Sequence, residues 1–137
     1  MATVSCGTLD PYRDIQENLD SSIEAFNNEF ESKAVGSSAR FVHPTHRSKY
    51  LEQSLEVAKR LTIFEAAILD LKFFKDKVPA VITSKDPEEG FNRTIVTIRY
   101  QIAVLPSTKV KTLLFEQEWV LYQKQWVVIL DLSKLLE

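Results

Sequence analysis

Three segments in the C-terminal third of the chain alternate apolar and polar residues. They are TIVTIRYQIAVL at 94–105, KVKTLLFEQEWVL at 109–121 and QWVVILDL at 125–132. A period of two residues is typical of strands, because successive side chains of a strand point to opposite faces of its sheet. The connections PST and QK are short enough for hairpins. These segments therefore predict an antiparallel meander, against which the rest of the chain must pack.

The N-terminal part of the chain follows the helical period of 3.6 residues instead. Asp10 and Pro11 are suited to the start of a helix, and Gly36 is suited to its end. Between them, apolar residues recur every three or four positions and form one stripe of a long helix. The stripe consists of Tyr12, Ile15, Leu19, Ile23, Phe26 and Phe30. We interpret the opposite face, with Glu17, Asp20, Glu24, Asn28 and Glu31, as a solvated surface.

Shorter elements connect this helix to the meander. Residues 38–42 predict one helical turn, which Pro44 ends because proline disfavours helical backbone at the residue before it. Residues 46–60 predict a third helix. Residues 62–74 predict a strand, although the alanines of this segment leave a helix open as an alternative. The segment that follows predicts a short strand at 80–83 and a turn at 86–90, where Pro87 suits the second turn position.

Helices first and strands afterwards indicate an α+β domain, with the helices packed on one face of an antiparallel sheet. We expect a single domain over residues 10–137, preceded by a flexible N-terminus at residues 1–9.

Pairing the predicted strands assigns their two faces. With Leu105 opposite Val110 and Tyr122 opposite Gln125, one face collects most of the large apolar side chains. That face consists of Val96, Ile98, Tyr100, Ile102, Leu113, Phe115, Trp119, Leu121, Trp126, Val128 and Leu130. We expect the helices to cover it, with both tryptophans pointing inward.

The other face mixes polar and apolar side chains. In the same register Arg99, Glu116 and Asp131 form one row across three strands. Two interpretations are open, an acid–base pair with a raised carboxylate pKa or an ion cluster at a polar surface, and we favour the second. The apolar side chains on this face predict a homodimer that partly covers it. The expected interface residues are Arg99, Glu116, Glu118, Val127 and Ile129.

The charge balance and the few cysteines narrow the classes of partner. Lys and Arg number 17 against 19 Asp and Glu, so the formal net charge is −2. Nucleic-acid-binding proteins usually carry a basic stripe, and we therefore expect no nucleic-acid partner. No segment approaches the roughly 18 continuous apolar residues of a membrane span. No Cys/His pattern has the spacing of zinc ligands, and we expect neither a metal nor a cofactor.

The single cysteine, Cys6, bears on the cellular compartment. The segment TVSC resembles the end of a bacterial lipoprotein leader, which would place the protein in the cell envelope. The alternative is an unstructured N-terminus with a free thiol, in a cytoplasmic protein. The sequence leaves both open.

The order of the elements resembles the nuclear transport factor 2-like superfamily, also called the cystatin-like or SnoaL-like fold. The resemblance covers about residues 10–132. The segment VKTLLFEQEWVLYQKQWVVI at 110–129 is similar to the terminal hairpin of that family, and VHPTHRSKY at 42–50 is similar to a stretch of many bacterial members. The resemblance implies a cone-shaped domain, open between the helices and the concave face of the sheet, and commonly a homodimer. It does not imply one activity, because the family includes isomerases, dehydratases, transport adaptors and members without known chemistry.

Both histidines of the chain lie in FVHPTHRSKY, residues 41–50. Unperturbed histidine titrates near neutrality, and free backbone N–H groups at the first turn of the third helix favour an anion. This segment predicts a site for a small apolar or acidic molecule, although an ordinary helix start is the simpler interpretation. The expected ligand-binding residues are His43, His46, Arg47, Tyr50, Tyr12 and Trp119.

These features favour a non-catalytic dimeric domain that binds a small ligand or a protein partner. The alternative is an isomerase or dehydratase that uses His43 with Tyr50 or Asp70 for acid–base chemistry. That alternative requires at least two of these groups to converge on one substrate position. Along the strand, the residues on the same face as Asp70 are as apolar as those on the opposite face. The sequence therefore does not indicate whether Asp70 points towards the helices or away from them.

Overall fold

The computed structural model describes residues 11–75, 78–79 and 91–137. The N-terminal segment with Cys6, the strand expected at 80–83 and the turn expected at 86–90 lie outside these residues. Three α-helices come first: α1 (Pro11–Glu31), α2 (Val35–Ser38) and α3 (Arg47–Arg60). Two single 3-10 turns, Ala39–Phe41 and Pro44–His46, connect α2 to α3. The strands are β1 (Leu61–Lys75), β2 (Val78–Pro79), β3 (Arg93–Val104), β4 (Lys111–Tyr122) and β5 (Gln125–Ile129), followed by a 3-10 segment at Leu132–Leu136.

The five strands form one antiparallel sheet in the order β2-β1-β3-β4-β5. The helices precede this antiparallel sheet along the chain, and this order confirms the predicted α+β class. β1 carries two register shifts against β3, one at Phe64 and one at Leu69. Irregularities of this kind bend a strand and increase its twist. Within the described ranges, no helix combines the length and the apolar composition of a membrane span.

The core lies between α1 and one face of the sheet. Leu19, Ile23, Phe26 and Phe30 of α1 are buried, as their spacing predicts. The ring of Phe26 meets the indole of Trp119 edge-on, at 5.9 Å between centroids. The buried side chains of the facing sheet surface include Val96, Ile98, Tyr100, Ile102, Phe115, Trp119, Trp126 and Val128. Each such side chain contributes about 1.5–3 kcal/mol, so this layer is the main source of stability.

The tryptophan prediction is confirmed. Trp119 pairs with Val128, and Leu121, two residues further along β4, pairs with Trp126. Trp119, Leu121 and Trp126 therefore share a face, and both indoles are buried. The predicted β4–β5 register is the observed one, because the two-residue turn after Tyr122 fixes it.

The predicted β3–β4 register is wrong by two residues. Tyr100 pairs with Leu113 rather than Phe115, because residues 105–110 form a longer loop than the sequence indicated. A shift of two keeps every side chain on its face, so the core assignment survives. The predicted row of Arg99, Glu116 and Asp131, in contrast, is not observed. Arg99 lies opposite Leu114 and bonds to Glu65 of β1 at 3.2 Å.

Asp131 lies beyond the end of β5 rather than in the sheet. Its carboxylate accepts hydrogen bonds from the backbone N–H and the hydroxyl of Ser133, at 3.1 and 2.7 Å, and caps the C-terminal 3-10 segment. The side chain of Gln53 on α3 donates a further bond at 2.8 Å. These hydrogen bonds, first those from Ser133 and then that from Gln53, lower the pKa of Asp131 to about 2. The residue is therefore a structural cap that ties the C-terminal segment to α3.

Candidate functional site

An open cleft of about 450 Å³ separates one side of α1 from the inner face of the sheet. Its lining comes from two elements distant in sequence, with one residue added by β3. α1 contributes Asp20, Ile23, Glu24, Asn27, Asn28 and Glu31, and the sheet contributes Ala66, Ala67, Ile68, Leu71 and Ile98. Pockets of this size hold small organic ligands in other proteins.

The helical wall of the cleft is polar. Asp20, Glu24, Asn27, Asn28 and Glu31 follow one another at spacings of four, three, one and three, which places them on one side of a helix. Four of these residues belong to the stripe that the sequence indicated as a solvated surface. They are indeed exposed, but this side of α1 faces β1 across the cleft rather than bulk solvent alone.

The floor of the cleft is apolar. Ala66, Ile68 and Leu71 of β1 pair with Tyr100, Ile98 and Val96 of β3 and so share the inner face. Ala66 has a small side chain, and its size leaves space beneath the helix. Ile68 remains 47% exposed, an unusual state for an isoleucine on the core face of a sheet. The floor can therefore bury an apolar group that enters the cleft.

A buried group of hydrogen-bonded side chains lies behind the wall. The amide of Gln117 donates to the Asn27 side-chain oxygen at 2.8 Å and accepts from the Asn27 amide nitrogen at 3.3 Å. The indole of Trp119 donates to the same Gln117 oxygen at 3.0 Å. Asn27 also donates to the carbonyl of Ile23. This network fixes α1 against β4, and Asn27 is the member that reaches the cleft.

Sequence reasoning missed this network, although the sequence carries a signal for it. Gln117 alternates with Phe115 and Trp119 on β4, which places a polar side chain on the apolar face. A fully buried glutamine requires partners, so a search for a polar residue on α1 would have found Asn27.

Tyr100 is a second buried polar group near the cleft. Its side chain is fully buried and its hydroxyl has no hydrogen-bond partner among the described residues. Burial, and after it the charge of Glu31, raises the pKa of this phenol, so it stays protonated at any ordinary pH. Its cross-strand partner Ala66 and the nearby Glu31 both line the cleft. Partial desolvation raises the pKa of Glu31 as well.

The site expected around His43 has mostly internal contacts. The Nδ1 atom of His43 lies 2.8 Å from the hydroxyl of Thr45 and accepts from the Thr45 backbone N–H at 3.2 Å. The imidazole ring packs on Tyr122 at 4.6 Å and on His46 at 5.8 Å between centroids. His43 therefore acts as the cap of the Pro44–His46 turn.

Arg47 and Tyr50 are likewise engaged inside the domain. The guanidinium group of Arg47 donates to the carbonyl oxygens of Ala39 and Val42, both at 3.0 Å. The hydroxyl of Tyr50 shares a 2.7 Å hydrogen bond with Ser38, and the residue is 1% exposed. These contacts hold the α2–α3 connection together and leave fewer groups for a bound anion.

The structure does not bring Asp70 together with His43. Asp70 is exposed and lies opposite Thr97, on the face of the sheet away from α1. His43 donates its backbone N–H to Val128 on β5, and two strands separate β5 from β1. Three inter-strand spacings amount to about 14 Å. Trp119 packs in the core, and the side chain of Tyr12 lies outside the described part of the structure.

The residues expected at a dimer interface differ in their accessibility. Arg99 and Glu118 are partly exposed and form ion pairs with Glu65 and Arg93 within the sheet. Glu116 is exposed and Ile129 is half-buried, whereas Val127 is buried within the chain. The outer face thus combines paired charges with the exposed side chain of Leu114.

No group of three or more His, Cys, Asp or Glu side chains in the described ranges is arranged to hold a metal ion. Comparison with models of protein families, with curated proteins and with solved structures finds no match for this chain.

Proposed function

We propose that the chain is a nuclear transport factor 2-like domain that binds a small ligand with an apolar body in the cleft between α1 and β1. The observation that carries this proposal is the apolar floor of the cleft, where Ile68 stays half-exposed beside Ala66 and Leu71. Burying one such side chain against a ligand contributes about 1.5–3 kcal/mol.

The order of elements supports the family assignment. A long helix, a short helix before the His-Pro segment and a third helix precede an antiparallel sheet that ends in a hairpin with two tryptophans. The cleft lies between a helix and the inner face of the sheet, where the resemblance implies the opening of the cone. The two register shifts in β1 are consistent with a curved sheet.

Binding is favoured over catalysis by the placement of the candidate residues. The isomerase or dehydratase alternative requires at least two of His43, Tyr50 and Asp70 to converge on one position. Tyr50 is bonded to Ser38 in the core, and Asp70 lies on the opposite face of the sheet.

We further propose that the domain forms a homodimer through the outer face of the sheet. Leu114 is 62% exposed on this face. Ile95 and Ile129, which flank Glu118 four residues further along β4, are half-buried. Sedimentation velocity of the wild-type chain and of L114K tests this contact. A dimer that dissociates on substitution supports it, and a wild-type monomer at high protein concentration contradicts it.

Binding of the neutral apolar dye Nile red tests the cleft. Ile68 and Leu114 are both exposed branched residues in strands, but they lie on opposite faces of the sheet, so I68N and L114N form a matched pair. We expect I68N to weaken dye binding roughly tenfold, because an apolar contact is lost, and L114N to leave it unchanged. Equal affinities for wild type and I68N would refute the proposed site.

A further inference from the structure

One edge of β4 is paired over only half of its length. β5 pairs with β4 from Glu118 to Tyr122, and no other described strand continues along that edge. The chain after β5 forms the 3-10 segment Leu132–Leu136 instead of extending the ladder. Residues 111–117 of β4 therefore have a neighbouring strand on one side only, where β3 lies.

The register shows which backbone groups point to this open edge. The N–H of Leu121 donates to the carbonyl of Asn92 at 3.0 Å, so the backbone of Leu121 points towards β3. The direction alternates along a strand, so the even-numbered residues of β4 point away from β3. Thr112, Leu114 and Glu116 thus direct their N–H and C=O groups to the open edge. These groups have no backbone partner among the described residues.

The open edge is regular. Proteins often interrupt an exposed edge with a bulge or a proline, because a regular edge pairs readily with another chain. β1 has two register shifts against β3, whereas β4 pairs with β3 from Lys111 to Val120 without a shift. No proline lies in residues 111–117. Leu114, in the middle of this stretch, is 62% exposed. The edge is therefore suited to accept a further strand.

A groove of about 410 Å³ lies along this edge. Leu114 and Glu116 line it from β4, and Asp131, Lys134 and Glu137 line it from the C-terminal part of the chain. The groove thus has room for one extended chain beside β4. A second copy that paired its own β4 across a two-fold axis would bring its C-terminal segment against this one, so a single strand fits better than a second copy.

We propose that this edge binds an extended segment of a partner protein, which joins the sheet as an antiparallel strand beside β4. The backbone of an extended chain supplies donors and acceptors at alternate residues, which is the pattern that Thr112, Leu114 and Glu116 present. Glu116 is exposed and has no ion pair among the described residues. An apolar side chain opposite Leu114 and a basic one opposite Glu116 complete the match. This surface is independent of the cleft between α1 and β1.

Amide hydrogen exchange of the wild-type chain tests whether the edge is open. The N–H groups of Leu113 and Phe115 point to β3, whereas those of Leu114 and Glu116 point to the groove. We expect the second pair to exchange at least about tenfold faster than the first. Similar exchange rates for all four amides would show that the edge is already paired, and would overturn the proposal.

A synthetic peptide tests strand addition. The probe is Thr-Lys-Thr-Val-Thr-Val-Thr, with fluorescein at its N-terminus and an amide at its C-terminus, and its binding is followed by fluorescence anisotropy. In the antiparallel arrangement the lysine lies opposite Glu116 and the first valine opposite Leu114. Methylation of the backbone nitrogens of the lysine and the two valines removes the donors that face β4, and should weaken binding at least about thirtyfold. The matched control carries the three methyl groups on the threonines that follow these residues, and should bind within about threefold of the unmodified peptide.

Charge reversal locates the peptide. E116K should weaken binding of the lysine peptide about threefold and should strengthen binding of a peptide that has glutamate in place of the lysine. The control E52K changes an exposed glutamate on α3 and should leave both affinities unchanged.

Three results would contradict the proposal. Equal weakening by the two methylation patterns would exclude strand addition, and so would the absence of peptide binding at about 1 mM. A wild-type dimer that the peptide dissociates in sedimentation experiments would make a second copy the occupant of the edge instead of a partner protein. Faster exchange at Leu114 and Glu116, together with selective loss on methylation of the lysine and valines, supports it.

Discussion

The buried amides of Asn27 and Gln117 should behave as one energetic unit. N27L replaces a 6% exposed amide on α1 by an apolar group of similar size, and it leaves the Gln117 amide nitrogen without its 2.8 Å partner. A buried donor without a partner costs about 1–3 kcal/mol, so we expect N27L to reduce the free energy of unfolding by about 2 kcal/mol.

Substitution of the partner residue, Gln117, should reduce the free energy of unfolding by a similar amount. Q117M keeps the length of the side chain, but it removes the acceptor of the Trp119 indole and the partner of Asn27. In the double variant N27L/Q117M the two amides are absent together, and only the indole N–H loses its acceptor. We therefore expect the double variant to be more stable than the sum of the single effects predicts, by about 1.5 kcal/mol.

Urea unfolding of the four proteins, followed by circular dichroism, measures this coupling. N28L serves as the control, because Asn28 is the exposed neighbour on the same helix and its substitution should change stability by less than about 0.5 kcal/mol. Single effects that add within about 0.5 kcal/mol would show that the two amides are independent and that the network does not fix α1 to β4.

Two further predictions concern the C-terminal part of the chain. Asp131 has a pKa of about 2 instead of the usual 3.8, so the stability it contributes is present above pH 4 and is lost as the pH falls towards 2. D131A should cost about 1 kcal/mol at pH 7 and progressively less below pH 4; a cost independent of pH in acid titrations would contradict the capping role. The hairpin turn holds Gln123 and Lys124 at φ of 50° and 66°. Q123N/K124G should therefore raise the unfolding free energy by about 1 kcal/mol in urea titrations, and a loss of stability would rule out strain in this turn.

The sequence predicts the layers of the fold well, because burial imposes simple periods. The stripe from Leu19 to Phe30 and the alternation around Trp119 both reflect contact with one core, and both are observed. The β4–β5 register was also readable, since a two-residue turn permits few alternatives. The β3–β4 register is not predictable in this way. A loop of several residues is compatible with several registers that differ by two residues and keep every side chain on the same face.

The candidate site is harder to predict from the sequence. The cleft lies between α1 and β1, which are distant in sequence, so it exists only once these two elements are packed together. Asp20 and Glu24 look like any solvated stripe until α1 is placed over β1. The small side chain of Ala66 creates the space, and an alanine carries no polar group that would mark a site in the sequence. The residues around His43 show a different difficulty: their polar groups are bonded to nearby backbone and to Thr45, and a sequence pattern does not show such local partners.

A titration of the chain with 1-octanol, a small molecule with an apolar body, followed by backbone amide chemical shifts, tests the central claim most directly. We expect the largest changes in residues 66–71 of β1, in Ile98 and in residues 20–31 of α1, with little change at residues 43–50 or at Leu114. Changes centred on the His43 segment or on the outer face of the sheet, or no changes at all, would contradict a ligand site between α1 and β1.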